Sequence, residues 1–191
     1  VASLSRFVVL LRGVNVGKGN RVPMAEFRAL LEDLGHRECR TLLNSGNAVF
    51  SAPGGLTVQL AAGIAGALQD RLGVSTPVIV KTSSEFEAIV EHNPIVPAAD
   101  EHARFLVAFT MDRARLQELA ALARLLLAGE RLVITDHAAY LHCSGGLLES
   151  KAGDALLGKL GRGVTTRNWS TTLKLLALLR EGAQGSPAGR Q

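Results

Sequence analysis

Two cysteines, Cys39 and Cys143, leave this 191-residue chain without the thiolate set that a metal site needs. Each lies in an apolar, strand-like run, the setting of a buried small hydrophobe, and a reducing cytoplasm is the compartment that follows. Histidine is no better placed. His36, His92, His102, His137 and His142 are scattered, with no HxxxH pair and no His–carboxylate spacing, so neither a metal nor another cofactor is expected. No apolar run approaches the roughly 18 residues of a membrane span, and Val1 to Arg6 lacks the charged-then-apolar pattern of a secretion signal. The sequence has no GxGxxG, no P-loop spacing around Lys18 and no GxSxG around Ser45. The paired strand aromatics of an RNP-type RNA platform are missing as well.

What is present is a core and an uneven charge. Apolar residues make up 47% of the chain, enough for a sizeable core at this length. The net charge is +4, but residues 1–100 balance nine Lys and Arg against nine Asp and Glu. Residues 151–191 carry seven Lys and Arg against Asp154 and Glu181 alone. That surplus attracts anions mildly and falls short of the dense basic stripe of a dedicated nucleic-acid binder.

Periodicity gives the order of elements. Arg6 to Arg12 is a continuous β-branched and aromatic run, a strand buried on both faces. Pro23 opens a helix whose stripe is Phe27, Leu30, Leu31 and Leu34. Strands at Arg37–Leu43 and Ala48–Ser51 flank an Asn44-Ser45-Gly46-Asn47 turn. Leu60, Ile64, Leu68 and Leu72 mark a second helix, and Pro77 to Lys81 a fourth strand. This β-α-β-β-α-β order is the ferredoxin-like pattern. Ser84 to Glu87 reads as a capping box opening a short connecting helix. Arg104 to Phe109 then echoes Arg6 to Leu11. Asp112 caps a helix bearing Leu116, Leu119, Ala120 and Ala123, and a hairpin turns at Asp136-His137. A helix near Ala152–Leu160 and a strand at Val164–Arg167 complete a second unit. The expected fold is α+β, with two ferredoxin-like halves related by internal duplication plus a C-terminal helix. The divisions are 1–82, a helical connection over 83–102, a second half over 103–167, the last helix over 168–181 and a mobile Gly/Ser/Pro-rich tail over 182–191.

The segments Arg12-Gly-Val-Asn-Val-Gly17, Val22-Pro-Met24, Asn44-Ser-Gly-Asn47 and Thr165-Thr-Arg-Asn-Trp169, in this order, resemble the bacterial family called domain of unknown function 1697. The likeness runs from about residue 7 to about residue 180. It implies two ferredoxin-like halves and a site at these motifs, but no reaction. The family's first loop usually reads Val-Gly-Gly-Lys-Asn; here Val16-Gly17-Lys18-Gly19-Asn20 moves the basic side chain by one position.

Each motif reads in two ways. The first loop, with Arg12, Asn15, Lys18 and Asn20, is either an anion-binding nest or a connection that needs positive φ. Asn44, Ser45 and Asn47 suit a tight hairpin. The second half, however, turns with Asp136-His137-Ala138-Ala139 and so manages without Asn or Gly. Thr166, Arg167, Asn168 and Trp169 are either a helix cap with a core Trp, or an anion site made of a helix N-terminus, a guanidinium fork and a flat ring.

Three functions follow. The preferred one is a module that binds a phosphate- or carboxylate-bearing ligand, a nucleotide-like molecule or an RNA segment, at Arg12, Asn15, Asn47, Arg167 and Asn168 on one concave surface. The second is an enzyme acting on a small polar substrate without metal, for which no catalytic residue can be assigned. The third is an interaction protein that forms a homodimer through its Leu-rich last helix, from Leu173 to Leu179.

Overall fold

A computed structural model of the chain describes residues 4–181; the tail expected at 182–191 lies outside them. The elements run β1 (Leu4–Leu11), α1 (Met24–Asp33), β2 (Arg37–Leu42), β3 (Asn47–Pro53), α2 (Thr57–Leu72), β4 (Val78–Thr82) and α3 (Ser83–Glu91). They continue with β5 (Phe105–Phe109), α4 (Arg113–Glu118), β6 (Arg131–Ile134), β7 (Ala139–His142), α5 (Lys151–Leu157), β8 (Thr165–Asn168) and α6 (Trp169–Glu181). The two sheets are both four-stranded and antiparallel, with orders β2-β3-β1-β4 and β6-β7-β5-β8. Identical order in both sheets establishes the duplicated ferredoxin-like architecture.

The reason β1 reads as an unbroken apolar run is that both its faces are covered. Phe7, Val9 and Leu11 pack outward with Phe27, Leu30 and Leu31 of α1 and Ile64 and Leu68 of α2. Val8 and Leu10 face inward. The second sheet repeats this: Leu106 and Ala108 face outward with Leu116 and Leu156, while Phe105, Val107 and Phe109 face inward. The inner faces of both sheets, with α3 and α6, share one central core. Leu175, Leu176, Leu178 and Leu179 of α6 are buried there, which explains a helix that is apolar almost all round.

Four local readings need correction. The echo of Arg6–Leu11 in Arg104–Phe109 is out of phase, since Phe7 faces outward and Phe105 inward. Side chains alternate with period two, so the residue matching Phe7 is Leu106; the duplication lies in topology, not in that hexapeptide. The cap of α3 is Thr82, which accepts from the Glu85 backbone N–H at 3.2 Å while Glu85 accepts from the Thr82 N–H at 2.8 Å. The capping box therefore begins two residues before Ser84. Asp112 does cap α4, accepting from the Ala114 N–H at 2.9 Å, but the helix tightens to a 3-10 turn over Leu119–Leu125. Leu116, Leu119 and Leu122 are buried at intervals of three, and Ala120 and Ala123 are exposed. In α1, Leu34 falls beyond the last turn and stays 40% exposed.

Candidate functional site

Arg167 is where the two halves interlock. It stands on the inner face of β8, paired with Val107, and is 8% exposed. A guanidinium carries five N–H donors, and each has an acceptor here. Nε donates to Asn47 Oδ1. Nη1 donates to Thr165 Oγ1 at 2.9 Å and to the Thr166 carbonyl at 2.7 Å. Nη2 donates to the carbonyls of Leu11 at 2.7 Å and Ser45 at 2.8 Å. Every partner is neutral. Burial lowers the Arg167 pKa to about 10, which still leaves a full positive charge at neutral pH, and among the described residues no carboxylate pairs with it.

Arg12 crosses in the opposite direction. From the end of β1 it donates to the carbonyls of Val164 at 2.8 Å and, more weakly, Gly158 at 3.3 Å and Leu157 at 3.4 Å, all in the second half. Its pKa is lowered by burial and by the nearby charge of Arg162. Each half thus sends an arginine into the main-chain carbonyls of the other.

Between these arginines lies a cleft of about 470 Å³. Arg12, Ser45, Thr165, Thr166 and Arg167 supply its polar lining, and Val14, Val16, Leu156, Leu157 and Val164 its apolar walls. Among the described residues no carboxylate or imidazole lines it. Sequence reasoning missed the apolar walls, because Leu156 and Leu157 lie more than a hundred residues from Val14 and Val16 in the chain.

The other expected residues divide by what their side chains do. Asn47 is fully buried; it accepts from Arg167 and donates to the Leu42 carbonyl at 2.9 Å and to Ser45 Oγ at 2.8 Å. Positive φ in this hairpin falls on Leu43 and Gly46, not on Asn44 or Asn47. Turn geometry therefore does not account for Asn47, and Arg167 does. Asn15 and Asn20 do have positive φ, 57° and 48°. Asn15 staples its own loop: it donates to the carbonyls of Val22 at 2.8 Å and Asn44 at 2.7 Å and accepts from the Val22 N–H at 2.8 Å. Asn15 and Asn44 line a separate cleft of about 290 Å³ with Arg21, Val22, Pro23 and Met24. Lys18 and Asn20 are exposed on the loop and line neither cleft.

Asn168 caps α6 by accepting from the Thr171 N–H at 2.9 Å. Trp169 is 7% exposed and meets Phe105 edge-on at 5.6 Å within the central core, so its face is not open to a stacking ligand. The structure brings Arg12, Ser45, Thr166 and Arg167 together at one cleft, with Asn47 directly behind them. Asn15 and Asn44 belong to the neighbouring cleft, and Asn168 and Trp169 serve the start of α6.

Among the described residues no three His, Cys, Asp or Glu side chains gather as a metal site would require, and no helix is long and apolar enough to cross a membrane. The chain is similar to the conserved bacterial protein SP0830 from Streptococcus pneumoniae, at 27% identity and a TM-score of 0.72, over 93% of this chain and 99% of that one. No curated protein matches it. The sequence model of the protein family of unknown function DUF1697 matches residues 4–140. That span contains the first three motifs; Thr165–Trp169 lies beyond it, within the 93% of the chain that the likeness to SP0830 covers. The family match covers most of the chain, from β1 into β7, and with the duplicated sheets it identifies the chain as a member of the DUF1697 family.

Proposed function

We propose that the cleft between Arg12 and Arg167 binds a small molecule bearing a phosphate or carboxylate on a partly apolar body. One observation carries this reading: Arg167 is a buried cation held only by neutral acceptors, at the floor of a cleft that Arg12 also lines. An unpaired buried charge makes the potential in such a cleft positive, and the low-dielectric walls strengthen it. The donors of Arg167 are all engaged, so its contribution is charge rather than direct contact. Direct hydrogen bonds to the ligand would come from Arg12, Ser45 and Thr166. The volume of about 470 Å³ fits a nucleotide-sized ligand and not an extended strand, which favours a small anion over RNA. With no carboxylate or imidazole in the lining, binding is favoured over acid–base catalysis. Dimerisation through α6 finds less support, because the leucines it would use lie in the central core.

The test is calorimetric titration with nucleoside phosphates, sugar phosphates and aromatic carboxylates at low and high salt. A salt-weakened affinity is expected, lost in Arg12→Gln. Because Arg12 also braces the α5–β8 connection, Leu157→Glu provides the second variant. It sets a carboxylate on the exposed rim and should abolish anion binding while leaving the melting temperature unchanged. No binding by the wild type across the panel, or full binding by Leu157→Glu, would overturn the proposal.

A further inference from the structure

Duplication supplies a counterpart to Arg167, and it is a lysine. Lys81 on β4 pairs with Val8, as Arg167 on β8 pairs with Val107. Both valines face the central core from the first strand of their half, so each cation sits on the inner face of the last strand of its half. The surroundings differ. Lys81 opens on its own cleft of about 220 Å³, walled by Ile89, Met111 and Leu116.

Four charged or titratable groups face that cleft: Glu85 from α3, Arg113 from α4, and Asp136 and His137 from the β6–β7 turn. None neutralises Lys81 by direct contact. Glu85 is committed to the α3 cap through the Thr82 N–H at 2.8 Å and Thr82 Oγ1 at 3.2 Å. Asp136 is ion-paired with Arg113, and the His137 ring meets that of His92 at a tilt, with centroids 4.8 Å apart. Among the described residues Lys81 makes no ion pair, and its amine is not among the side-chain nitrogens sealed away without a partner. It is a half-buried amine facing an accessible, partly apolar cleft.

We propose that Lys81 is a reactive amine that captures small aldehydes in this cleft as imines. A lysine withdrawn from solvent without a counter-ion gains nucleophilicity because desolvation disfavours its charged form. Burial lowers the pKa of Lys81, with the charge of Glu85 opposing it more weakly. The nitrogen lone pair attacks the carbonyl carbon to give a carbinolamine. The former carbonyl oxygen then leaves as water, carrying the two amine hydrogens, and C=N replaces C=O. No oxidant or reductant is required. The cleft volume limits the aldehyde to a small one, and the site shares no lining residue with the anion cleft at Arg12.

The experiment treats the intact chain with propanal near neutral pH, traps imines with cyanoborohydride and maps labelled lysines by mass spectrometry over time. Lys81 is expected to label about tenfold or more faster than the exposed Lys18, Lys151, Lys159 and Lys174, with a pH–rate profile displaced to lower pH than theirs. Lys81→Arg should remove that labelled peptide and leave the other four unchanged. Unfolding in urea should abolish the excess rate. Labelling of Lys81 no faster than the exposed lysines, or an excess that persists in urea, would overturn the proposal.

Discussion

On β8, Arg167 is enclosed by acceptors reaching in from the first half; on β4, the equivalent Lys81 meets no such ring and faces an open cleft. The cause lies in the hairpin that each cation meets. The β2–β3 turn offers the carbonyl of Ser45 and the buried amide of Asn47. The β6–β7 turn places Ala138 in the central core and engages Asp136 and His137 with Arg113 and His92 beside the Lys81 cleft. One topology used twice has thus given one cation held by a ring of acceptors at the floor of its cleft and one cation that lines a cleft without such a ring. Duplication preserves strand order because the core demands it, whereas polar residues at a single inner-face position are free to diverge.

The largest test of this contrast is the paired removal of the two cations. Arg167→Met should cost about 3–5 kcal/mol, since Asn47, Thr165 and the Leu11 and Ser45 carbonyls lose their donor in a buried place. Lys81→Met should stay within about 1 kcal/mol. Urea denaturation of both variants measures the difference, and equal losses would remove the distinction between the ringed and the unringed cation.

A somewhat smaller loss is expected for Leu175→Ala in α6, about 3 kcal/mol for a fully buried leucine. The helix packs in the core shared by both sheets, so circular dichroism and Trp169 fluorescence should shift together in one transition. Separate shifts would show that the halves are less coupled than the shared core implies.

Gly46→Ala probes the hairpin that closes over Arg167. Gly46 has φ 76°, and an added Cβ would come within 2.7 Å of both Leu11 Cβ and Val14 Cγ2. A loss of about 2 kcal/mol is expected from strain and overlap, read as a drop in melting temperature. An unchanged melting temperature would mean that the hairpin relaxes freely and does not clamp the junction.

The smallest effect compares the two cysteines, one in each half. Burial pushes the Cys39 thiol up to about 11 and raises that of Cys143. The folded state therefore keeps the Cys39 proton where the unfolded chain releases it. Its contribution to stability should fall as pH rises from 9.0 towards about 11. Below that range both thiols should resist an aromatic disulfide reagent until the chain opens. Different rates for Cys39 and Cys143 would measure how independently the two halves unfold.

Element order and most of the core were legible in the sequence, because they rest on local periodicity. Phe27, Leu30 and Leu31 announce α1, and Asn168 announces the start of α6 through its cap. Where local pattern was ambiguous, it misled. The six-residue echo matched residue types while the faces alternated in opposite phase, and the 3-10 tightening after α4 exchanged a period of about four for one of three. At the site, Arg12, Ser45, Thr166 and Arg167 were named from sequence and do meet. The apolar walls of their cleft and the whole Lys81 cleft were not, although a lysine at the inward parity of an apolar strand was a usable signal.

By itself, then, the sequence determined which segments become helix and strand, and that they occur in the same order twice. Helix stripes, caps and turn residues act over a few positions and are written consecutively. The tertiary structure alone decided which polar residues are spent on holding the halves together and which face a cleft. The acceptors of Arg167 include Asn47, 120 positions away along the chain, and a hydrogen bond of that span leaves no periodic trace. Its partner is fixed only when the two sheets pack around a common core.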